Sequence, residues 1–228
     1  MNGGDGSLFF YKQDSTAFHF CYDSGSIWNR PCRDMRGPFT SDMIRKAYTK
    51  GGIIMELYKA LNIRKSIRSY TGEPITDAQL ERILIAAYEA PIGMKRYDSI
   101  HLTVITNPEL LHEIDANAAA ASGDPSRHPL YGAPMLILVS SSQTSNVASA
   151  NVGIVIQNMS LAAVEEGVGH CDIYGAIRAL VKNEELVAKL NIPEGFEPTG
   201  SIILGQTDVA YTTRDIPADH KYSMNILK

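Results

Sequence analysis

Three cations and three hydroxyls share the eight residues Ile63-Arg64-Lys65-Ser66-Ile67-Arg68-Ser69-Tyr70. Arg64 and Arg68 stand four apart, so a helical or near-helical backbone puts both guanidiniums on one side, with the Ser66 hydroxyl between them. Two planar forks and a hydroxyl suit a phosphate monoester, which offers several acceptor oxygens at once. The same residues also suit a solvated basic helix end, where cations complement the helix dipole. Lys95 and Arg96 form a second cationic pair on a loop, able to attract an anion or to sit in solvent. Other chemistries find no support. No Gly-x-x-x-x-Gly-Lys-Ser/Thr phosphate loop occurs, and no Gly-x-Ser-x-Gly elbow is present. The six histidines lack metal-ligand spacing, and Cys21, Cys32 and Cys171 are too scattered for a disulfide framework or a thiolate metal site. His128 and His170 read as ordinary satisfied histidines, and Cys171 as a small buried hydrophobe.

The elements that must carry these residues are legible in part. Met55, Leu57, Tyr58 and Leu61 predict a short amphipathic helix delivering Arg64 to its end. Thr76-Asp77-Ala78-Gln79 is a capping box, and Leu80, Ile83, Leu84 and Ala87 continue it as a helix to about Ala90, stopped by Pro91. Ile100–Ile105 alternates as a strand, Asn107-Pro108 opens a helix to about Ala118, and Met135–Val139 reads as a central strand buried on both faces. Asn146 to Glu166 is the longest helical pattern, apolar on nearly every side, which places it in a core or a subunit interface. Gly167 and Gly169 stop it, Asp172 is a candidate cap for a helix from about Tyr174 to Val181, and a short helix follows from Asn183 to Leu190. Ser201–Leu204 is a strand. Interleaved strands and helices predict an α/β (α+β) fold in three layers, a central mixed sheet flanked by helices.

Arg64-Lys65-Ser66-Ile67-Arg68-Ser69-Tyr70 resembles the Arg-x-Ser-x-Arg-x-(Tyr/Phe) opening of the nitroreductase family of FMN-dependent oxidoreductases. Four further segments fall in that family's order: Pro74 to Pro91, Leu130-Tyr131-Gly132-Ala133-Pro134, Asn151 to Gly169, and Gly200 to Gly205. The resemblance implies an FMN site built from Arg64, Lys65, Ser66 and Arg68, from Pro91, Ile92, Gly93 and Met94, and from the backbone of Ile173, Tyr174 and Gly175 facing the flavin N5 edge. Arg214 is the positional match to a late cation that completes the phosphate site. The loop departs from the commoner Ala-Pro-Ser-x-x-Asn-x-Gln pattern, with Ile92 for Ser and Lys95 for Asn, so Lys95 and Arg96 are candidate substrate contacts. The implied activity is ping-pong transfer of two electrons from NADH or NADPH to a nitroaromatic, quinone or enone acceptor, in a homodimer with flavin at or near the interface. No side chain is implied as an acid or base, and no metal. The altered loop leaves open a flavin-binding module without turnover, or an offshoot with dehalogenase or flavin-fragmenting chemistry.

Of 228 residues, 44% are apolar and 20% charged, with a net charge of −4, which disfavours nucleic acid or an anionic membrane as partner. No apolar run approaches the roughly 20 residues of a membrane span and no signal peptide is evident, so the cytoplasm is the expected compartment. Residues 1–54 mix Gly, Asp, Ser and aromatics without period. They are expected to be an N-terminal extension, disordered or a translated leader. Lys50-Gly51-Gly52 fits a purine-rich ribosome-binding sequence read in frame before Met55, leaving 55–228 as the flavin domain.

Overall fold

The computed structural model describes residues 57–215, 223 and 225–227 and, as backbone, two strands nearer the N-terminus. Those strands, β1 (Ser7–Lys12) and β2 (Phe18–Tyr22), pair as an antiparallel hairpin. The rest of residues 1–54, and Met55 with them, lies outside the described residues.

The sheet continues through β3 (Ile100–Ile105), β4 (Met135–Ser141), β5 (Gly169–Ile173) and β6 (Glu197–Gly205) in the order β2-β1-β3-β4-β6-β5. The layers are three, but the sheet expected to be mixed is antiparallel in every described ladder. The path after β3 shows why. Helix α3 (Pro108–Ala121) leads away from the strand, and the loop from 122 to 134 then brings the chain back to the end it left, setting Leu136 opposite Ile105.

β4 is buried along its whole length because both faces are covered. Ile137 and Val139 turn toward helices α2 (Asp77–Tyr88) and α4 (Asn146–Glu165), together with Ile202 and Leu204 of β6. Leu136 and Leu138, one residue out of phase, turn with Ile203 toward α3, α5 (Gly175–Leu180) and α6 (Glu184–Ala188). The Thr76 capping box forms with both reciprocal bonds, and Asn107 caps α3 through the Leu110 N–H at 2.9 Å. β5 was not legible in the sequence, and β6 extends well before Ser201.

α4 is the spine of one layer. An 18-residue window of this 20-residue helix has a mean hydropathy of 1.5, enough by length and composition to cross a membrane, yet half of that window is buried inside the protein. Polar side chains tie it there: Asn158 Nδ2 donates to Ala86 O at 3.0 Å, and just beyond its end Glu166 pairs with Arg82 and accepts Gln79 Nε2 on its carbonyl.

α1 (Leu57–Ile63) departs from its predicted face. Leu57, Tyr58 and Leu61 are 62%, 85% and 41% exposed, while Ala60 and Ile63 pack on Val164 of α4 with Leu161 and Tyr211 alongside. A seven-residue helix holds too few apolar positions for its own period to choose the buried side, so the surfaces offered by α4 and the tail decide.

Gly205, at the end of β6, marks the tightest approach in the sheet. A Cβ there would lie 2.6 Å from Pro134 Cδ and 3.0 Å from Tyr70 Cδ1. The proline ring cannot rotate away. Gly205→Ala is therefore expected to cost about 1–3 kcal/mol in overpacking, read as a lower urea midpoint. An unchanged midpoint would show that the Pro134 turn yields freely.

Candidate functional site

α1 ends where the Arg64 N–H reaches Ala60 O at 3.0 Å, and no helix follows until Asp77. The backbone from Arg64 to Arg68 is not helical. The chain instead lies beside β5 and the end of β6. Ile67 N–H donates to His170 O at 2.7 Å, Thr71 N–H to Gln206 O at 3.0 Å, and Thr207 Oγ1 to Ser69 O at 2.8 Å. Ile67 turns into the core at 1% exposure, and its neighbours at alternate positions remain accessible. A non-helical segment thus brings Arg64, Ser66 and Arg68 to one neighbour.

The gathering shows at Cys171, a buried free thiol in β5. Burial raises its pKa, while a bond from Ser66 and the cations of Arg68 and Arg64 act against that rise. Cys171 is held as a thiol within electrostatic reach of the three residues. Tyr70 belongs to the same cluster: its hydroxyl donates to Ile67 O at 2.9 Å, and burial, reinforced by Cys171, lifts its pKa far above the usual phenol range. The guanidinium carbon of Arg68 stands 5.7 Å from the centre of the Tyr131 ring. Tyr131 is held there by a left-handed backbone, φ 54°, in the turn before Gly132. Among the described residues, the ion pairs belong to Arg82, Arg96, His128 and Lys189, leaving Arg64 and Arg68 without a carboxylate.

β5 leads to the second group. Asp172, a candidate helix cap, lies inside the strand, where its Oδ1 accepts from Ser160 Oγ of α4 at 2.8 Å. The residue before α5 is Tyr174, which makes no side-chain cap bond. Tyr174 is 65% exposed, and a Cβ added at Gly175 would meet nothing within 4 Å. The backbone of 174–175 is therefore open to close approach from outside, while Ile173 is buried.

The third group, Pro91 to Arg96, sits elsewhere along α4. Asn151 Oδ1 accepts the Gly93 N–H at 3.1 Å, nine residues and so about 14 Å of helix from Ser160. Ile92 is buried. Met94 and Lys95 follow with φ of 54° and 57°, a left-handed pair of non-glycine residues that holds both side chains outward. Arg96 Nε lies 3.4 Å from Asp98 Oδ1, so its charge is partly met.

Arg214 reaches the first group through the backbone. Its guanidinium donates to Leu61 O at 3.0 Å and to Asn62 O, and its own N–H and C=O bond the Asn62 side chain at 2.9 Å each. A cation here satisfies carbonyls of the last turn of α1, two residues before Arg64.

Beside that clamp lies a buried pair. Tyr211 OH donates to Val168 O at 2.7 Å and meets His170 Nδ1 at 2.7 Å. His170 is fully buried, with Nε2 unpartnered. Burial first, and the Arg64 cation second, push its pKa down to about 4, with the Val168 carbonyl acting the other way.

Residues 61–206 match the profile of the nitroreductase family. The chain belongs to that family. An FMN reductase [NAD(P)H] of Bacillus subtilis is 26% identical over 174 residues, covering 66% of this chain and 65% of its own length, so the chain spans just under two thirds of that relative. A nitroreductase with bound FMN from Desulfitobacterium hafniense is 28% identical and superposes with a TM-score of 0.65, covering 75% of this chain and 99% of that one. The NADPH:FMN oxidoreductase of Vibrio harveyi complexed with NAD+ shares the fold at a TM-score of 0.58 and 21% identity, over 75% of this chain and 79% of its own.

Within this nitroreductase fold, α4 positions every candidate group: Val164 meets α1, Ser160 meets β5, and Asn151 meets the Gly93 loop. Sequence reasoning took His170 for an ordinary satisfied histidine and gave no role to Tyr211, Asn62 or Asn151. Their bonding partners lie 41 to 152 residues away or across the helix layer, beyond the reach of any local pattern.

Proposed function

We propose that the protein is an FMN-dependent oxidoreductase that takes two electrons from NADH or NADPH and delivers them to a nitroaromatic, quinone or enone acceptor. The observation that carries this reading is the pair of guanidiniums, Arg64 and Arg68, gathered with Ser66 near Cys171 and free of carboxylates among the described residues. That donor set fits a phosphate monoester. The open backbone at Gly175 fits a planar ring edge brought close, and its N–H groups can hold a ring nitrogen or carbonyl.

Arg64, Lys65, Ser66 and Arg68 would hold the phosphate and ribityl end of FMN, with Arg214 fixing the turn that presents them. Ile173, Tyr174 and Gly175 would face the reactive edge, and Pro91, Ile92, Gly93 and Met94 the remaining side. Lys95 and Arg96 would draw an anionic substrate or the phosphates of the nicotinamide donor. Bound FMN would supply the redox chemistry, receiving electrons from the pyridine nucleotide and passing them on in alternating half-reactions at one place.

The working unit in this reading is a homodimer. α1 leaves Leu57 and Tyr58 at 62% and 85% exposure, and α4 leaves Val147 at 47%, apolar surface that a second copy can cover. A buried free thiol at Cys171 suits the reducing cytoplasm.

The test is an absorption spectrum through the flavin bands, before and after anaerobic NADPH. Yellow protein that bleaches, and regains colour on adding an acceptor, supports the reading and excludes a flavin module without turnover. Colourless protein that FMN cannot reconstitute overturns it.

A further inference from the structure

The Tyr211 hydroxyl has one proton and two neighbours at 2.7 Å; giving it to Val168 O, which can only accept, lets both contacts be hydrogen bonds. His170 Nδ1, 2.7 Å from the same oxygen and beside the same carbonyl, must then carry the imidazole hydrogen. With the hydrogen fixed on Nδ1, Nε2 of the neutral ring is a bare acceptor. It is buried in a fully covered side chain and takes no hydrogen bond. A buried acceptor without a donor is costly and calls for a partner. The cation whose charge is felt by both His170 and Tyr211 is Arg64, although its guanidinium makes no bond to Nε2 here. The backbone agrees: His170 O holds Ile67, three residues beyond Arg64, and the tail that carries Tyr211 also clamps α1 through Arg214.

We propose that His170 is the positioning residue for Arg64: its ring, set in the Nδ1–H form by Tyr211, offers Nε2 as the acceptor that aims the Arg64 guanidinium at the ligand phosphate. This rests on the flavin reading above for the identity of the ligand. Arg64 has five N–H donors in a rigid fork, enough to serve phosphate oxygens and Nε2 together. When the phosphate draws the guanidinium in, Nε2 can accept from its far side, so that ligand and ring hold it between them. The tail from Tyr211 to Arg214 is thus part of the phosphate site without touching the phosphate.

Two substitutions separate aiming from tethering. The amide of glutamine reaches the place of Nε2, and that of asparagine the place of Nδ1. His170→Gln is expected to keep FMN affinity within about threefold, whereas His170→Asn weakens it roughly tenfold or more. A role confined to tethering Tyr211 gives the reverse order, and that result, or equal affinity in both variants and the parent, overturns the proposal.

Should both variants weaken together, nitrogen NMR of histidine-labelled parent protein decides. The His170 Nε2 resonance is expected to move upfield, toward a hydrogen-bonded acceptor, on saturation with FMN, and to stay put in Arg64→Ala. An unmoved parent resonance overturns the proposal. If the parent fails to bind FMN at all, the flavin reading is lost, and inorganic phosphate serves as the titrant for the same resonance. Movement then supports aiming by His170, and stillness refutes it.

Discussion

Arg68→Ala is expected to weaken FMN binding by roughly one to two orders of magnitude, and Arg64→Ala by the upper end of that range or beyond. A hydrogen bond to a charged group contributes about 1.5–3 kcal/mol, and each 1.4 kcal/mol is tenfold in affinity. Position decides where each arginine falls. Arg68 is exposed, its fork resting near the Tyr131 ring, so water screens its charge and competes for its donors. Arg64 is half-buried beside His170 and Tyr211, where the surroundings are less polarisable and a phosphate contact counts for more. Neither change should unfold the protein, since neither guanidinium is in an ion pair among the described residues. Melting temperatures should stay near the parent's. Arg68→Lys separates charge from shape, because an ammonium keeps the charge and loses the bidentate fork. Flavin titration by fluorescence quenching measures all three. Parent-like affinity in Arg68→Ala would move the phosphate site away from this segment.

The parts of the fold that were legible are those whose signals are local. The Thr76–Gln79 box, the Asn107-Pro108 start and the apolar run of β4 each state their structure within a few residues, and each forms as expected. Arg64 and Arg68, four apart, share a side in an extended chain as well as in a helical one, so their spacing alone does not choose the backbone. Only the bond from Ile67 to His170, a hundred residues on, settles which backbone forms. β5 shows neither alternation nor apolar continuity: Gly-His-Cys-Asp-Ile is a strand because β6 pairs with it and Ser160 meets Asp172. Asp172 read alone looks like a helix cap for the same reason. The face of α1 and the clamp by Arg214 depend on a tail with no core of its own, which takes its structure from what it packs against.

Acidification is expected to destabilise the flavin-free protein between pH 6.5 and 4 through His170, and the sign follows from its burial. Unfolded, the imidazole binds a proton below its ordinary pKa of 6.5; folded, burial and the Arg64 cation delay that to about 4. Below pH 6.5 the unfolded chain therefore holds more protons than the native one, and stability falls with pH. The contribution is fully present above pH 6.5 and lost by about pH 4, on the order of 3 kcal/mol for a shift of this size. That is a large share of the margin of a typical domain. His101 is shifted the same way by burial and adds to the fall in any variant that retains it. His170→Gln, which cannot titrate, isolates the difference. Its urea-unfolding free energy should drop less than the parent's from pH 7 to pH 4, by about that amount, while the two proteins share the slopes due to His101 and the carboxylates. Parallel curves over this range would mean that His170 takes up its proton at the same pH folded and unfolded, so that burial does not hold the ring neutral. A charged ring has no lone pair on Nε2, so the proposed aiming of Arg64 would then be lost below about pH 6.5.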